Sequence, residues 1–370
     1  MFGCLRALGR ACCYFLFLSV ASWACATEPD HGAEAWDGFR SGAFRGVTLA
    51  DLGRDGKEVY SEQDYEDLKD IGANLVRIFV YLRRCGQCTS YEFPEAQIAY
   101  VERVLARAEQ IGFHVVVSLV PLPGFGKSDY WNRDDLKSDI AAKWSAIALR
   151  IKRYTKLAGY DLINEPVPPD PLSSRTKAAM WADFAQELAD EVRKVDRLTP
   201  LIVESAPWGF PSGFAHMQLV KAERVVYSFH FYAPREFTHQ GLYELPLGVE
   251  YPSVLWSKSR LSGLLEPVRA FQRNTGAPVY VGEFSAVRWA PKNQSAVYLN
   301  DVIDLFEHEG WAWTYLGWRG YHGWDAELDS TVENDRRQGR LPTRRREDAP
   351  GISVLRRGFG KNADAKNGGL

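Results

Sequence analysis

The chain has 370 residues, enough for one large domain or two of medium size with a sizeable core. Its 45 Lys and Arg residues nearly balance its 47 Asp and Glu residues, which argues against a general nucleic-acid-binding protein, since such a protein would carry a basic surplus. Aromatic residues make up 13% of the chain, a content that suits both a packed core and stacking on flat ligand faces.

The first 26 residues have the layout of a secretory signal peptide. Arg6 and Arg10 precede an apolar run at residues 11–20, and Ala24-Cys25-Ala26 supplies a cleavage site of small residues. The run is too short for a comfortable membrane span. We therefore expect cleavage after Ala26, export to the exterior or the periplasm, and no stable membrane insertion afterwards. An uncleaved anchor and a lipid-modified Cys25 are the alternatives.

Two cysteines remain after this cleavage, Cys85 and Cys88, with C-x-x-C spacing. That spacing fits a redox centre, half of a zinc site or a small local disulfide. The sequence has no second Cys pair, no nearby His cluster and no thioredoxin-like surroundings, and exported proteins favour disulfides. We therefore predict a disulfide, with no metal and no cofactor.

Short apolar or β-branched runs alternate with helical patterns along the rest of the chain. The predicted strands are residues 45–50, 74–81, 114–120, 160–164, 201–205, 225–232, 278–284 and 311–316. Residues 94–112 and 176–196 are predicted helices; in the second, apolar residues recur every four positions from Met180 to Val192, and Gly112 ends the first.

Eight strands that alternate with helices imply parallel pairing and right-handed crossovers. Eight is also the number that closes a barrel, so we predict an α/β protein with a single (β/α)8 TIM barrel over residues 27–360. A doubly wound open sheet is the alternative, but no G-x-G-x-x-G follows the first strand. Residues 351–359 could form a last barrel helix, and we expect residues 361–370 to be disordered.

Polar residues stand at the carboxyl ends of the predicted strands, where a barrel of this kind builds its site. The stretch YDLINEPVPP at residues 160–169 ends an apolar run in Asn164 and Glu165, and Pro166 then prevents the strand from continuing. The other candidates at strand ends are Arg77, His230, Tyr232, Glu283, Trp313 and Trp318.

Glu165 and Glu283 are the most informative pair, because burying a carboxylate at the end of an apolar strand is costly unless it is paired or used. Two carboxylates that flank a bond are the groups needed for glycoside hydrolysis. One attacks the anomeric carbon, and the other stays protonated and donates to the leaving oxygen. The structural alternative is that each glutamate only pairs with an arginine.

With N-E-P at 164–166 and G-E-F at 282–284, in order with VRIFV, SFHFY and a Trp-rich eighth strand, the sequence resembles glycoside hydrolase family 5. This cellulase-type family belongs to the retaining (β/α)8 glycosidases, and the resemblance extends from FRGVTL to WAWTYLGWRGYHGW. One departure is that the family's histidine near the end of strand three is absent, since His114 begins that strand.

The resemblance implies a role for each matched residue. Glu165 would be the acid/base and Glu283 the nucleophile, while Asn164 would hold the sugar 2-hydroxyl. Arg77 would orient the nucleophile and keep it ionised. On the predicted sixth strand, His230 would support the acid/base and Tyr232 would contact the nucleophile. Trp313 would form the aromatic floor of the −1 subsite, with Trp318 as its rival.

The implied substrate is a β-linked oligo- or polysaccharide, cleaved by double displacement. The alternatives are a transglycosylase, a β-mannanase or an exo-β-glucosidase on the same site, or a non-catalytic glycan-binding barrel. The sequence does not decide between glucan, mannan and exopolysaccharide, and it does not indicate an oligomeric state.

Overall fold

The chain forms one nine-stranded sheet within residues 30–49, 59–84, 90–92, 94–122, 129–328 and 345–367, which the computed structural model describes. The strands are β1 (Arg45–Leu49), β2 (Leu75–Arg84), β3 (Tyr91–Glu92), β4 (His114–Pro121), β5 (Leu157–Asp161), β6 (Leu201–Glu204), β7 (Val225–Phe231), β8 (Val279–Phe284) and β9 (Ala312–Leu316). The predicted signal segment and the pair Cys85 and Cys88 lie outside the described residues.

Helices occupy most of the connections between these strands. The α-helices are α1 (Ala33–Arg40), α2 (Glu62–Asp70), α3 (Glu95–Ile111), α4 (Asp134–Ile151), α5 (Ser174–Arg193), α6 (Arg235–Thr238), α7 (Lys258–Leu264), α8 (Glu266–Thr275), α9 (Gln294–Glu309) and α10 (Pro350–Asn367). Short 3₁₀ turns lie at Asp129–Asn132, Pro211–His216, Pro291–Asn293 and His322–Trp324. In the described part of the chain, no helix combines the length and the hydropathy that crossing a membrane requires.

The sheet closes on itself. Its order is β1-β9-β8-β7-β6-β5-β4-β2, and β1 also pairs with β2. All eight of these strands are parallel, and only the short β3 is antiparallel to its neighbour β2. This closed ring of eight parallel strands confirms the predicted TIM barrel.

The predicted elements match the observed ones to within two residues at each end, except in four places. Strand β2 continues to Arg84, three residues past its predicted end, and α5 ends at Arg193, three residues before its predicted end. The fourth barrel strand, β5, begins at Leu157 and ends at Asp161, three residues earlier than the predicted 160–164, although the Asn164 N–H still donates to the Leu119 carbonyl at 2.8 Å. The last helix, α10, continues through residue 367, so residues 361–367, for which we expected disorder, are helical. The prediction for Gly112 is confirmed, because it ends α3 with φ 98°.

The interior of the barrel changes from apolar to polar along its axis. At the amino end, one inward-facing residue from each of seven strands packs in a buried cluster, namely Leu75, Val116, Ala158, Ile202, Val226, Tyr280 and Ala312. Helix α1 joins this cluster through Ala35 and Phe39, whose ring lies 5.4 Å from that of Tyr280. The amino end is therefore filled, and the polar side chains lie toward the carboxyl end.

Candidate active site

Arg77, on β2, is the centre of the polar layer. Its side chain is fully buried and makes six hydrogen bonds to five side chains. The acceptors, with the shortest distance to each, are Glu283 Oε1 (2.6 Å), Asp161 Oδ2 (2.7 Å), Glu204 Oε1 (2.8 Å), Asn164 Oδ1 (2.8 Å) and Ser118 Oγ (3.0 Å). Burial alone would lower the pKa of Arg77, but the carboxylates around it raise that pKa well above its usual value. The guanidinium is thus a permanent cation that fixes groups from four other strands.

Two of these partners, Asp161 and Glu204, were missed by the sequence analysis. Both are fully buried, at the last residues of β5 and β6. Burial and the neighbouring Glu204 carboxylate raise the pKa of Asp161 to about 7, against the opposing effect of Arg77. The available signal was an acidic residue inside an apolar run, in YDLI and LIVE, which is the same signal that identified Glu283.

Glu165 lies just beyond β5, with a left-handed backbone at φ 48°. Its main-chain N–H donates to Glu204 Oε2 at 2.8 Å, and its Oε1 lies 2.9 Å from His230 Nδ1. Burial raises the pKa of Glu165, and the Glu283 charge adds to this effect, whereas His230 opposes it. A carboxyl group in this environment favours its protonated form.

His230, on β7, lies between three carboxyl groups. In addition to the contact with Glu165, His230 Nε2 forms an ion pair with Glu204 Oε1 at 3.2 Å, although the geometry is not that of a hydrogen bond. His230 Nδ1 also lies 3.7 Å from Glu283 Oε2. Burial alone would lower the pKa of His230, but the Glu204 and Glu283 charges and the hydrogen bond to Glu165 raise it well above its ordinary value. Gly282 permits this close packing, because a Cβ there would lie 3.0 Å from His230 Nε2.

Glu283, on β8, has both carboxylate oxygens engaged. Oε1 accepts from Arg77, and Oε2 accepts from the Tyr232 hydroxyl at 3.0 Å. Burial and the Glu283 charge raise the pKa of Tyr232 well above its usual value, so the hydroxyl stays a donor. Glu283 therefore accepts from one cation and one neutral donor.

Asn164 meets the same cluster through its amide. Its oxygen accepts from Arg77, and this bond fixes the orientation of the side chain. The amide N–H₂ is then the group available to donate to a ligand. Of the eight sequence-predicted site residues, six come together here, namely Arg77, Asn164, Glu165, His230, Tyr232 and Glu283.

The structure does not bring Trp313 into the pocket, and the prediction for it is wrong. Its fully buried ring faces outward from β9, stacks on Phe359 of α10 at 5.3 Å and donates to Glu307 at 2.7 Å. The reason is strand alternation, because the next residue, Thr314, points inward to the Gly282 carbonyl.

Trp318 is also buried, with 2% of its surface exposed, and Arg319 lies over its ring at 4.5 Å. A ring so covered offers no stacking face to a sugar, so the prediction of Trp318 as the floor is wrong as well. The inward-facing residue at the carboxyl end of β9 is Leu316, which packs with Phe79 and Val120 beside Tyr232 and Trp324.

Half-buried aromatic side chains from two loops lie next to the polar residues of the site. Trp324 lies 6.1 Å from the Tyr232 ring and 5.3 Å from that of His239. Trp208, in the loop after β6, donates its main-chain N–H to the Pro166 carbonyl and so lies beside Glu165. Such rings can stack on the apolar faces of a sugar.

Glu165, His230 and Glu283 each bring one oxygen or nitrogen within 4.8 Å of the others, a spacing that suits a metal ion on distance alone. However, Arg77 and Tyr232 already occupy both Glu283 oxygens, and the raised pKa of His230 keeps its ring protonated. The donor set therefore suits a hydrogen-bonded pair of carboxyl groups better than a metal centre.

Comparison with known proteins gave one family and many similar chains. The profile described as Cellulase (glycosyl hydrolase family 5) matches residues 34–322. Endoglucanase C of Acetivibrio thermocellus is 22% identical over 293 residues, which cover 69% of this chain and 83% of that protein. Structures of Thermotoga maritima Cel5A, in complex with cellobiose (TM-score 0.69, 20% identity) and with mannotriose (TM-score 0.68, 21% identity), each cover 87% of this chain and 99% of theirs.

Proposed function

Because the chain belongs to glycosyl hydrolase family 5 and is a glycoside hydrolase, we propose that it cleaves β-linked glycans with retention of configuration. Glu283 is the nucleophile and Glu165 the acid/base. The observation that carries this proposal is the pair of carboxyl groups whose oxygens approach within 4.8 Å. Retaining glycosidases hold their carboxyl groups about 5–5.5 Å apart, whereas inverting enzymes need about 6.5–9.5 Å to admit a water between them.

In the first step, a Glu283 oxygen attacks the anomeric carbon while the bond from that carbon to the leaving oxygen breaks. The proton of Glu165 moves to the leaving oxygen, and a glycosyl ester of Glu283 remains. In the second step, Glu165 takes a proton from water, whose oxygen displaces Glu283 from the anomeric carbon. Both carboxyl groups return to their starting states, and two inversions give net retention.

The different surroundings of the two glutamates support this division of roles. Glu283 accepts from the Arg77 cation and from Tyr232, which favours the charged nucleophile. Glu165 has a pKa raised by burial, which favours the protonated acid. Asn164, with its oxygen held by Arg77, is the donor for the sugar 2-hydroxyl.

For the substrate, we propose a β-1,4-linked glucan, with β-mannan as the alternative. The similar proteins include endoglucanases, and the Thermotoga maritima Cel5A structures hold cellobiose and mannotriose. We further propose that the protein is exported and acts on extracellular or periplasmic oligo- or polysaccharide. Transglycosylation and exo action would use the same two glutamates.

The test is activity of residues 27–370 on β-glucans, β-mannans and aryl β-glycosides, with the anomer of the first product followed by NMR. We expect cleavage with the β-anomer formed first, complete loss in Glu283→Ala, and in Glu165→Ala a loss that is smallest for aryl glycosides with good leaving groups. Glu250→Ala, which removes an exposed carboxylate, is the control and should match wild type. Full activity of Glu283→Ala, or an α-anomer as first product, would refute the proposal; glycan binding without cleavage would indicate a binding protein.

A further inference from the structure

We propose that Glu204 is a positioning residue, which holds the main chain and the imidazole partner of Glu165 so that the Glu165 carboxyl group can transfer its proton. This inference rests on the proposed function, in which Glu165 is the acid/base. No role for this third carboxylate follows from the sequence pattern or from the family match.

The geometry shows what Glu204 connects. It is fully buried at the last residue of β6. Its Oε1 lies 2.8 Å from Arg77 Nη2 and 3.2 Å from His230 Nε2, while Oε2 accepts the Glu165 main-chain N–H at 2.8 Å. One carboxylate therefore contacts the central cation, the histidine and the acid/base at once.

The first connection fixes the backbone. A left-handed φ of 48° is unfavourable for a residue with a side chain, and it persists only where neighbouring contacts impose it. Glu165 lies past the end of β5, so its N–H has no strand partner, and Pro166 offers no N–H of its own. The Glu204 carboxylate supplies the missing acceptor and thereby fixes the direction in which the Glu165 side chain leaves the main chain.

The second connection fixes the imidazole. His230 faces the carboxyl groups of Glu165, Glu204 and Glu283, and the Tyr232 hydroxyl and the Arg77 guanidinium share Glu283 with it. An imidazolium donates from both nitrogens, whereas a neutral ring donates from only one. With the Glu204 charge beside Nε2, the ring stays protonated, and Nδ1–H is committed to Glu165. The carboxylate that Glu165 becomes after proton transfer is then met by a donor already in place.

Asp161 provides a matched control. It is equally buried, it pairs with Arg77 at 2.7 Å, and it stands at the end of the neighbouring strand. Among the described contacts, it touches neither Glu165 nor His230. Asp161→Asn therefore alters a buried carboxyl group on the same arginine without removing a described contact of Glu165 or His230.

The experiment measures kcat/KM for wild type, Glu204→Gln, Asp161→Asn and Glu165→Ala on aryl β-glycosides whose leaving groups span a range of pKa. Poor leaving groups need a proton from the enzyme, whereas the best ones do not. For Glu204→Gln, we expect the ratio of the rate on the best leaving group to that on the poorest to rise about tenfold or more, part of the range that general acid catalysis contributes. For Asp161→Asn, we expect both rates to fall by the same factor.

An unchanged ratio in Glu204→Gln, or an equal rise in Asp161→Asn, overturns the inference. If Glu204→Gln does not fold, as judged by thermal unfolding, Glu204→Asp replaces it; this variant keeps the charge but withdraws it by one methylene, and the same rise is expected. The Glu165→Ala variant distinguishes a failure of the proposed function from a failure of the inference about Glu204. If its ratio does not rise, the proposed function and the inference both fail; if it rises while neither Glu204 variant follows, only the inference fails.

Discussion

Replacing Arg77 by methionine should destabilise the protein in a way that depends on pH. The substitution keeps much of the side-chain volume but leaves Asp161, Glu204 and Glu283 buried without their shared cation. Carboxylates in that position bind protons more readily in the folded than in the unfolded chain. The stability of the variant should therefore fall as pH rises, and its deficit against wild type should be larger at pH 8 than at pH 5.

The expected magnitude follows from the three ion pairs. Removing one partner of a buried pair costs about 3–5 kcal/mol of unfolding free energy, and three carboxylates on one arginine favour the upper part of that range at pH 8. With an unfolding entropy of about 0.6 kcal/mol/K for the roughly 300 described residues, a loss of about 4–5 kcal/mol should lower the melting temperature by about 6–8 °C.

Urea unfolding followed by tryptophan fluorescence at pH 5 and pH 8, with refolding traces to establish reversibility, measures this loss. A second variant combines Arg77→Met with Asp161→Asn and so removes one of the buried carboxyl groups that lost its cation. It should recover about 1–3 kcal/mol of unfolding free energy at pH 8. If the double variant is no more stable than the single one, or if the single variant loses equally at both pH values, the electrostatic explanation is wrong.

Three further predictions concern single side chains. Tyr232→Phe removes a donor to the Glu283 carboxylate, worth about 1.5–3 kcal/mol, so kcat/KM should fall about tenfold to a hundredfold; wild-type kinetics would contradict this. Trp313→Ala should cost about 3–5 kcal/mol of unfolding free energy, while kcat/KM of the folded protein stays unchanged. A loss of kcat/KM without a loss of stability would indicate that the ring contacts the substrate after all. Burial raises the folded-state pKa of Glu165 above its unfolded value, so the protonated side chain is tolerated at low pH and the ionised side chain destabilises the fold as pH rises through that interval. Glu165→Gln should therefore be more stable than wild type in urea at pH 8 but not at pH 4, and equal stability at both would refute the shift.

Much of the fold followed from patterns that act over a few residues. Eight apolar runs separated by helical segments are enough to predict a barrel, because parallel strands need long crossovers. Helix α1 was missed, since its eight residues carry too short a pattern to stand out before the first strand. The last helix was predicted too short because polar residues after 359 resemble a solvated tail, and the structure nevertheless continues it to residue 367.

The site was predictable where a polar residue ends an apolar strand, and not where the direction of the side chain decides. Glu283 lies next to the end of β8, as predicted, whereas Arg77 was expected at a strand end but is the third residue of β2. The structure nevertheless brings their side chains to 2.6 Å. Trp313 was also expected at the end of a strand, but it is the second residue of β9 and points outward, as the inward direction of its neighbour Thr314 shows. The role of Glu204 could not be predicted from the sequence, because its partners Arg77, Glu165 and His230 lie far from it along the chain and only the fold brings them together.

Helix α1 also decides where the chain can be cut. Residues 33–40 precede the first strand and, in the sequence, resemble a linker after the predicted signal peptide. In the structure, Ala35 and Phe39 are 1% exposed and cover the apolar amino end of the barrel. An expression boundary drawn after residue 40 would leave a hydrophobic hole ringed by Leu75, Val116 and Ala312, the kind of surface that drives aggregation. Trimming or fusion at this terminus therefore has to keep helix α1, because Ala35 and Phe39 are part of the packed interior at the amino end of the barrel.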